Sequence, residues 1–213
     1  MHKRFLFLLG SLSAALFLLL LSCVKNPDAD GQLPILGNRT VENGDTVYHR
    51  IKDFSFVNQD SNIITNASFE DKIYITDFFF TSCPTICPKV KQQMLRIHDK
   101  FKDNDKVVLL SHSIDVRHDT VAVLKKFATK LEVDTDRWHF VTGDEDHIYD
   151  MADEYFIVAQ KDPDAPGGFD HSGRIILVDQ NRYVRGFANG VDAEDVDRFM
   201  GDIQKLLDET AIQ

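Results

Sequence analysis

The sequence predicts an α/β protein, with a central mixed sheet flanked by helices and opened by an N-terminal hairpin. Three observations lead there. Ile73 to Phe80 is an apolar run with the β-branched and aromatic content of a buried strand. Val107 to Ser113 is a second continuous apolar run, as expected of a strand covered on both faces. Apolar residues at helical spacing follow each of them, so strand and helix signals alternate from Thr46 onward.

The chain has 213 residues, room for one ordinary domain and an appendage. The appendage comes first. His2-Lys3-Arg4, an apolar run from Phe5 to Leu21, and Leu20-Leu21-Ser22 before Cys23 predict a signal peptide over residues 1–22. That ending resembles a bacterial lipobox, which implies a lipidated Cys23 as the new amino terminus. The alternative is an uncleaved membrane-spanning anchor of similar length. Either one tethers the domain outside the cytoplasm. Lys25 to Asp45 is polar and carries Pro27, Gly31, Pro34, Gly37 and Gly44, which predicts a flexible linker over residues 23–45. The domain is then residues 46–213.

Within it, Phe54 to Val57 and Ile63 to Thr65, separated by a polar turn at Asn58 to Asn62, predict the hairpin. The Ile73 strand leads into a helix bearing Val90, Met94, Ile97 and Phe101, with Pro88 in the first turn, where its missing N–H costs nothing. After the Val107 strand, Asp119 is the expected cap of a helix from Thr120 to Lys130. Trp138 to Thr142 predicts a strand and Asp144 to Tyr155 a helix. Ile175 to Val178 and Tyr183 to Phe187 predict a second hairpin, and Asp192 caps a last helix. Strand–helix–strand, then strand–strand–helix, with thiols after a central strand, is the thioredoxin-like arrangement.

The formal net charge is −10. The leader holds Lys3 and Arg4 and no acidic residue, so residues 23–213 carry −12. An acidic chain with no basic cluster in its sequence predicts no nucleic-acid partner and leaves docking onto a basic protein open. Cysteine usage is spare: Cys23, Cys83 and Cys87. Lipidation of Cys23 leaves one pair.

That pair sits in Cys83-Pro84-Thr85-Ile86-Cys87-Pro88, at the carboxyl end of a strand and the amino end of a helix. Unpaired N–H groups and the positive dipole end there favour thiolate. Cysteines four apart on a helical turn have Cα atoms about 6 Å apart, within disulfide range. The same pair could converge on one soft metal ion with room for a third ligand. The plain alternative is two buried structural cysteines.

The stretches FFFTSCPTICPKV, SIDVRHDTVAVLKKFA, the VTGD turn at Val141 to Asp144, and DHSGRIILVDQNRYVRGF from Asp170 together resemble the Sco/SenC family of copper-binding proteins. The resemblance covers most of residues 54–207. It implies that Cys83, Cys87 and His171 bind copper. Cu(I) wants soft thiolates and accepts imidazole, which agrees with that set. A histidine in a glycine-rich loop is, taken alone, more often a surface residue. Here His171 stands where a thioredoxin-like reductase would keep a cis-proline. The family's usual Pro-Glu-Arg-Asp-Thr run is replaced by Val116-Arg117-His118-Asp119-Thr120, in a loop suited to partner docking.

Three further residues are candidates to support the ligands: Asp77 and His112 near the strand ends, and Asp170 beside His171. For the carboxylates the alternative is a solvated or capping role. His49, His98, His118, His139 and His147 read as surface or core residues.

The resemblance implies an extracytoplasmic, membrane-tethered copper metallochaperone that takes copper from an upstream donor. Its client would be the CuA centre of cytochrome c oxidase subunit II or a similar copper-receiving protein. The cargo is copper as Cu(I), with Cu(II) left open. The alternative is a thiol–disulfide oxidoreductase that keeps the client's copper-ligand cysteines reduced, with Cys83 and Cys87 as redox pair and no need of His171. A peroxidase is a third reading with no separate sequence support.

Overall fold

The computed structural model describes residues 31–211. The expected signal peptide, Cys23 and residues 23–30 of the expected linker lie outside the described residues.

Arg39–Glu42 (β1) and Asp45–Tyr48 (β2) pair as an antiparallel hairpin of their own. A larger sheet of seven strands follows, built from Ser55–Asn58 (β3), Ile63–Thr65 (β4), Ile73–Phe79 (β5), Val107–Ser113 (β6), Trp138–Thr142 (β7), Arg174–Val178 (β10) and Val184–Asn189 (β11). Its spatial order is β11-β10-β5-β6-β7-β3-β4. β5, β6 and β7 run parallel, and the outer strands pair antiparallel, so the sheet is mixed. Ala159–Lys161 (β8) and Phe169–His171 (β9) form a separate two-stranded ribbon. The helices are Cys87–Phe101 (α1), Val121–Leu131 (α2), Glu145–Glu154 (α3) and Ala193–Ala211 (α4). This is the expected thioredoxin-like α/β architecture. Among the described residues no helix is long and apolar enough to cross a membrane.

Every residue of β5 and β6 is buried, as a doubly covered strand requires. Alternation along β5 divides the core into two faces. Asp77 and Phe79 turn toward α1 and α2, where Lys91 and Phe127 meet them. Thr76 and Phe78 turn the other way, toward His112 and Tyr155.

The structure departs from the expected boundaries at two places. Residues 33–45 are not a free linker: Leu33 is buried, its N–H donates to Glu209, and Arg185 donates to the carbonyls of Leu33 and Pro34. Gly and Pro content hid this, because the docking uses backbone carbonyls against one guanidinium rather than an apolar stripe. Asp119, expected to cap α2, does not; Thr120 occupies the cap position without a side-chain bond. The Asp119 carboxylate instead accepts from the Thr81 N–H at 2.9 Å, the Thr81 hydroxyl, and Ser113 Oγ at 2.6 Å. Two other carboxylates cap helices, Asp192 as expected and Asp144 in addition. Asp144 accepts from His147 N–H at 3.0 Å, and Asp192 from Glu194 N–H at 3.0 Å.

Folding also gathers charge. α1 carries four Lys and Arg and one Asp, and α2 carries three Lys and no acid. Of these cations Lys91 is buried against Asp77, and Arg96 and Lys125 are paired with Asp197 and Asp60.

Candidate metal centre

β5 delivers the chain to the cysteine loop. The Cys83 N–H donates to the Phe80 carbonyl at 3.2 Å, which turns the backbone directly after the strand. α1 begins at Cys87 with Pro88 in its first turn. Pro84 and Pro88 are exposed, yet the thiols they flank are not: Cys83 is 7% and Cys87 6% exposed. Both are free thiols.

His171 arrives from the far end of the sequence as the last residue of β9, opposite Ala159 of β8. Two glycines aim it. Gly167 has φ of 82°, and a Cβ there would lie 2.7 Å from the Phe80 ring, so only glycine lets this loop cross so close to the cysteine turn. Gly190 donates its N–H to the Gly173 carbonyl, and a Cβ at Gly190 would fall 2.6 Å from that oxygen. The Phe80 ring sits 5.0 Å from Phe169 and 5.3 Å from His171, centroid to centroid, and walls the ring in.

The result is a convergence. Cys87 Sγ and His171 Nε2 are hydrogen-bonded at 3.1 Å. The ligand atoms of Cys83, Cys87 and His171 all lie within 4.8 Å of one another. His171 is largely buried at 9% exposure, rather than the open loop residue that its glycine-rich neighbourhood predicts.

The three groups are electrostatically unlike. Burial raises the Cys87 thiol well above its ordinary range and keeps it protonated. Burial also pushes Cys83 upward, but hydrogen bonds from Thr85 and Cys87 outweigh it, and its pKa falls below the ordinary thiol value. Burial lowers His171, against the raising effects of Phe169, Asp77 and Asp170, so the imidazole is neutral with a lone pair to offer. Two soft sulfurs and a neutral imidazole suit Cu(I) better than a four-coordinate zinc ion.

The expected supporting residues divide. Asp77 is fully buried but does not touch the thiols. Its carboxylate accepts from Lys91 Nζ at 2.7 and 2.9 Å and from Ser111 Oγ. The charge that reaches Cys87 from this pair is that of Lys91, which lowers the thiol's pKa. Sequence reading missed Lys91; its signal was a lysine one helical turn after Cys87, on the same side of the helix. Asp170 is exposed and acts on His171 only through its charge. His112 lies on the opposite face of the sheet, stacked on Phe78 at 4.6 Å with Nδ1 3.1 Å from Thr76 Oγ1. Strand alternation puts it there, since its neighbour Ser111 faces Asp77 and Lys91. None of His49, His98, His118, His139 and His147 joins the convergent group.

A thioredoxin-like α/β domain with two unbridged cysteines and a histidine converging beside a helix terminus defines a protein built to handle thiols and soft metals. The SCO1/SenC family profile matches residues 43–208, and the chain belongs to that family. It is similar to a SCO1/SenC family lipoprotein from Bacillus anthracis, with a TM-score of 0.68 and 26% identity over 74% of this chain and 95% of that one. It is similar to BsSco, a member of the Sco family of cytochrome c oxidase assembly proteins in which a disulfide switch has been identified. There the TM-score is 0.66 and the identity 30%, over 74% of this chain and 93% of that one. It is similar to Arabidopsis thaliana ScoI, solved with copper bound, with a TM-score of 0.63 and 25% identity over 74% and 98%.

Proposed function

We propose that this protein is a membrane-tethered, extracytoplasmic copper metallochaperone that binds Cu(I) through Cys83, Cys87 and His171 and hands it to the CuA centre of cytochrome c oxidase. The observation that carries the reading is the convergence of those three donor sets within 4.8 Å, with the thiols unbridged. The Cys87 proton leaves as the metal enters, because the ligand is the thiolate. His171 needs no deprotonation. Three ligands leave a side open to an incoming client thiolate, so copper can pass by ligand exchange rather than by release. Oxidation to a Cys83–Cys87 disulfide would block loading. The disulfide switch of BsSco and the copper bound to the Arabidopsis protein support this combination. The Ser22–Cys23 junction supports a lipid anchor, as does the lipoprotein relative.

The unequal thiols favour one second reading, a thiol–disulfide oxidoreductase in which Cys83 attacks and Cys87 resolves. His171 separates the two. A strain carrying His171→Ala loses assembled CuA oxidase under copper limitation if the role is delivery, and added copper restores it. Normal assembly at low copper in that strain would overturn the delivery reading in favour of reduction.

A further inference from the structure

A groove of about 320 Å³ opens beside the thiols, between α1 and α2. Cys83 and Cys87 form one end of it, and Pro88, Leu95, Phe127 and Leu131 supply apolar wall. Lys130 stands at its rim, and Lys126 lies one turn earlier on the same helix. Among the described residues no carboxylate lines it.

This is unusual on a chain of net charge −10. The acidic excess sits elsewhere: α3 alone carries five carboxylates and no Lys or Arg. Of the cations on the two groove helices, Lys91 is paired with Asp77, Arg96 with Asp197, and Lys125 with Asp60. Lys126 and Lys130 are exposed and pair with no carboxylate among the described residues. An apolar trough with a lysine at its rim, bordered by the two thiols, matches a segment that offers apolar side chains, carboxylates and a cysteine together.

We propose that the α1–α2 groove docks an acidic, apolar, cysteine-bearing segment of the partner protein, and that Lys126 and Lys130 select it by charge. The inference rests on the reading that Cys83 and Cys87 exchange with a partner, and it deepens that reading by naming the partner's chemistry. Net charge left docking onto a basic protein open; the groove points to an acidic segment instead, because the field near it is set by its own rim within a Debye length of about 10 Å at about 0.1 M salt.

The test needs no copper, so it stands or falls separately from the metal reading. The probe is a short capped peptide, glutamate-leucine-cysteine-leucine-glutamate, its cysteine held as a mixed disulfide with 2-thiopyridine. A counterpart carries lysine in place of glutamate. A protein thiolate attacks the peptide cysteine sulfur, a protein–peptide disulfide forms, and the S–S bond between that cysteine and the 2-thiopyridyl group breaks. The leaving thiolate takes up a proton and is read as pyridine-2-thione. The second protein cysteine then displaces the peptide as its thiol.

With the reduced full chain in detergent at about 0.1 M ionic strength, where the Debye length is about 10 Å and the rim lysines outweigh the distant acidic surface, the acidic peptide is expected to react about tenfold faster than the lysine peptide. That ratio shrinks as salt is added. Lys126→Glu with Lys130→Glu should abolish or invert the preference. The rate with neutral 2,2′-dithiodipyridine should stay within about twofold, since these lysines do not act on the sulfurs. Equal rates for the two peptides, or a preference that survives the double reversal, would overturn the proposal. So would a dimer at assay concentration that the double variant dissolves, because the occupant would then be a second copy of this chain.

Discussion

Cys87 Sγ and His171 Nε2 lie 3.1 Å apart although 84 positions separate the two residues in sequence. A thiol raised by burial and an imidazole lowered by burial make a natural donor and acceptor, S–H to N. A soft metal held by both residues would displace that shared proton.

That exchange sets a pH dependence. Cys87 stays protonated through neutral pH, so each metal bound displaces at least one proton, while neutral His171 contributes none there. Cu(I) affinity should therefore rise at least about tenfold per pH unit from about pH 6 to 8. Competition titrations against a Cu(I) chelator of known affinity at several pH values measure it. An affinity flat across that range would show that Cys87 is not a ligand.

Lys91 and Asp77 form a buried ion pair under the thiols, with Ser111 bridging to the Trp138 indole N–H at 2.9 Å. Burial lowers the Lys91 pKa, and the Asp77 charge opposes this. Lys91→Met leaves a buried carboxylate without its cation and should cost about 3 to 5 kcal/mol. Adding Asp77→Leu should recover most of the loss, because an apolar pair of similar volume is often nearly neutral in stability. Urea unfolding of the three proteins decides it; a double variant no more stable than Lys91→Met would contradict the pair.

Asp119 ties the loop after β6 to the cysteine turn through Thr81, two residues before Cys83. Removing the carboxylate leaves three donors unpaired in a buried place. Asp119→Ala should cost about 2 to 4 kcal/mol, and should weaken Cu(I) binding although no ligand is changed. Affinity equal to wild type in the folded variant would mean that the cysteine turn holds its shape without the tie.

His112 gives the fold a sensitivity to acid. Its pKa falls from 6.5 to about 3, chiefly through burial. Below pH 6.5 the unfolded chain takes up a proton that the folded chain refuses until about pH 3. Stability therefore falls as pH drops through that window. The loss amounts to about 3 kcal/mol between pH 7 and 4.5. His139, also lowered by burial, acts in the same direction. His112→Phe should flatten the decline in urea midpoints, and an unchanged slope would contradict the assignment.

The architecture was legible where burial dictates composition. β5 and β6 are continuous apolar runs, and α1 repeats Val90, Met94, Ile97 and Phe101 on one side. The β8–β9 ribbon was not, since Ala159–Lys161 and Phe169–His171 have no alternation long enough to register. The linker boundary was missed because Leu33 and Pro34 dock through their carbonyls. Cys83, Cys87 and His171 could be picked out by motif. That His171 is held by a ribbon over Phe80 could not, since Gly167 reads only as a turn residue. Lys91 escaped because a lysine four residues after a helix start reads as a surface residue until Asp77 is placed beneath it.

The central claim is that Cys83, Cys87 and His171 together hold one Cu(I). Titration of the reduced protein with Cu(I) against a competing chelator, in wild type and His171→Ala, tests it most directly. The account predicts one equivalent bound by both proteins, with affinity about a hundredfold weaker once the imidazole is gone and far-UV circular dichroism unchanged. Identical affinity in the two proteins would contradict it, and would leave Cys83 and Cys87 as a redox pair that copper merely visits.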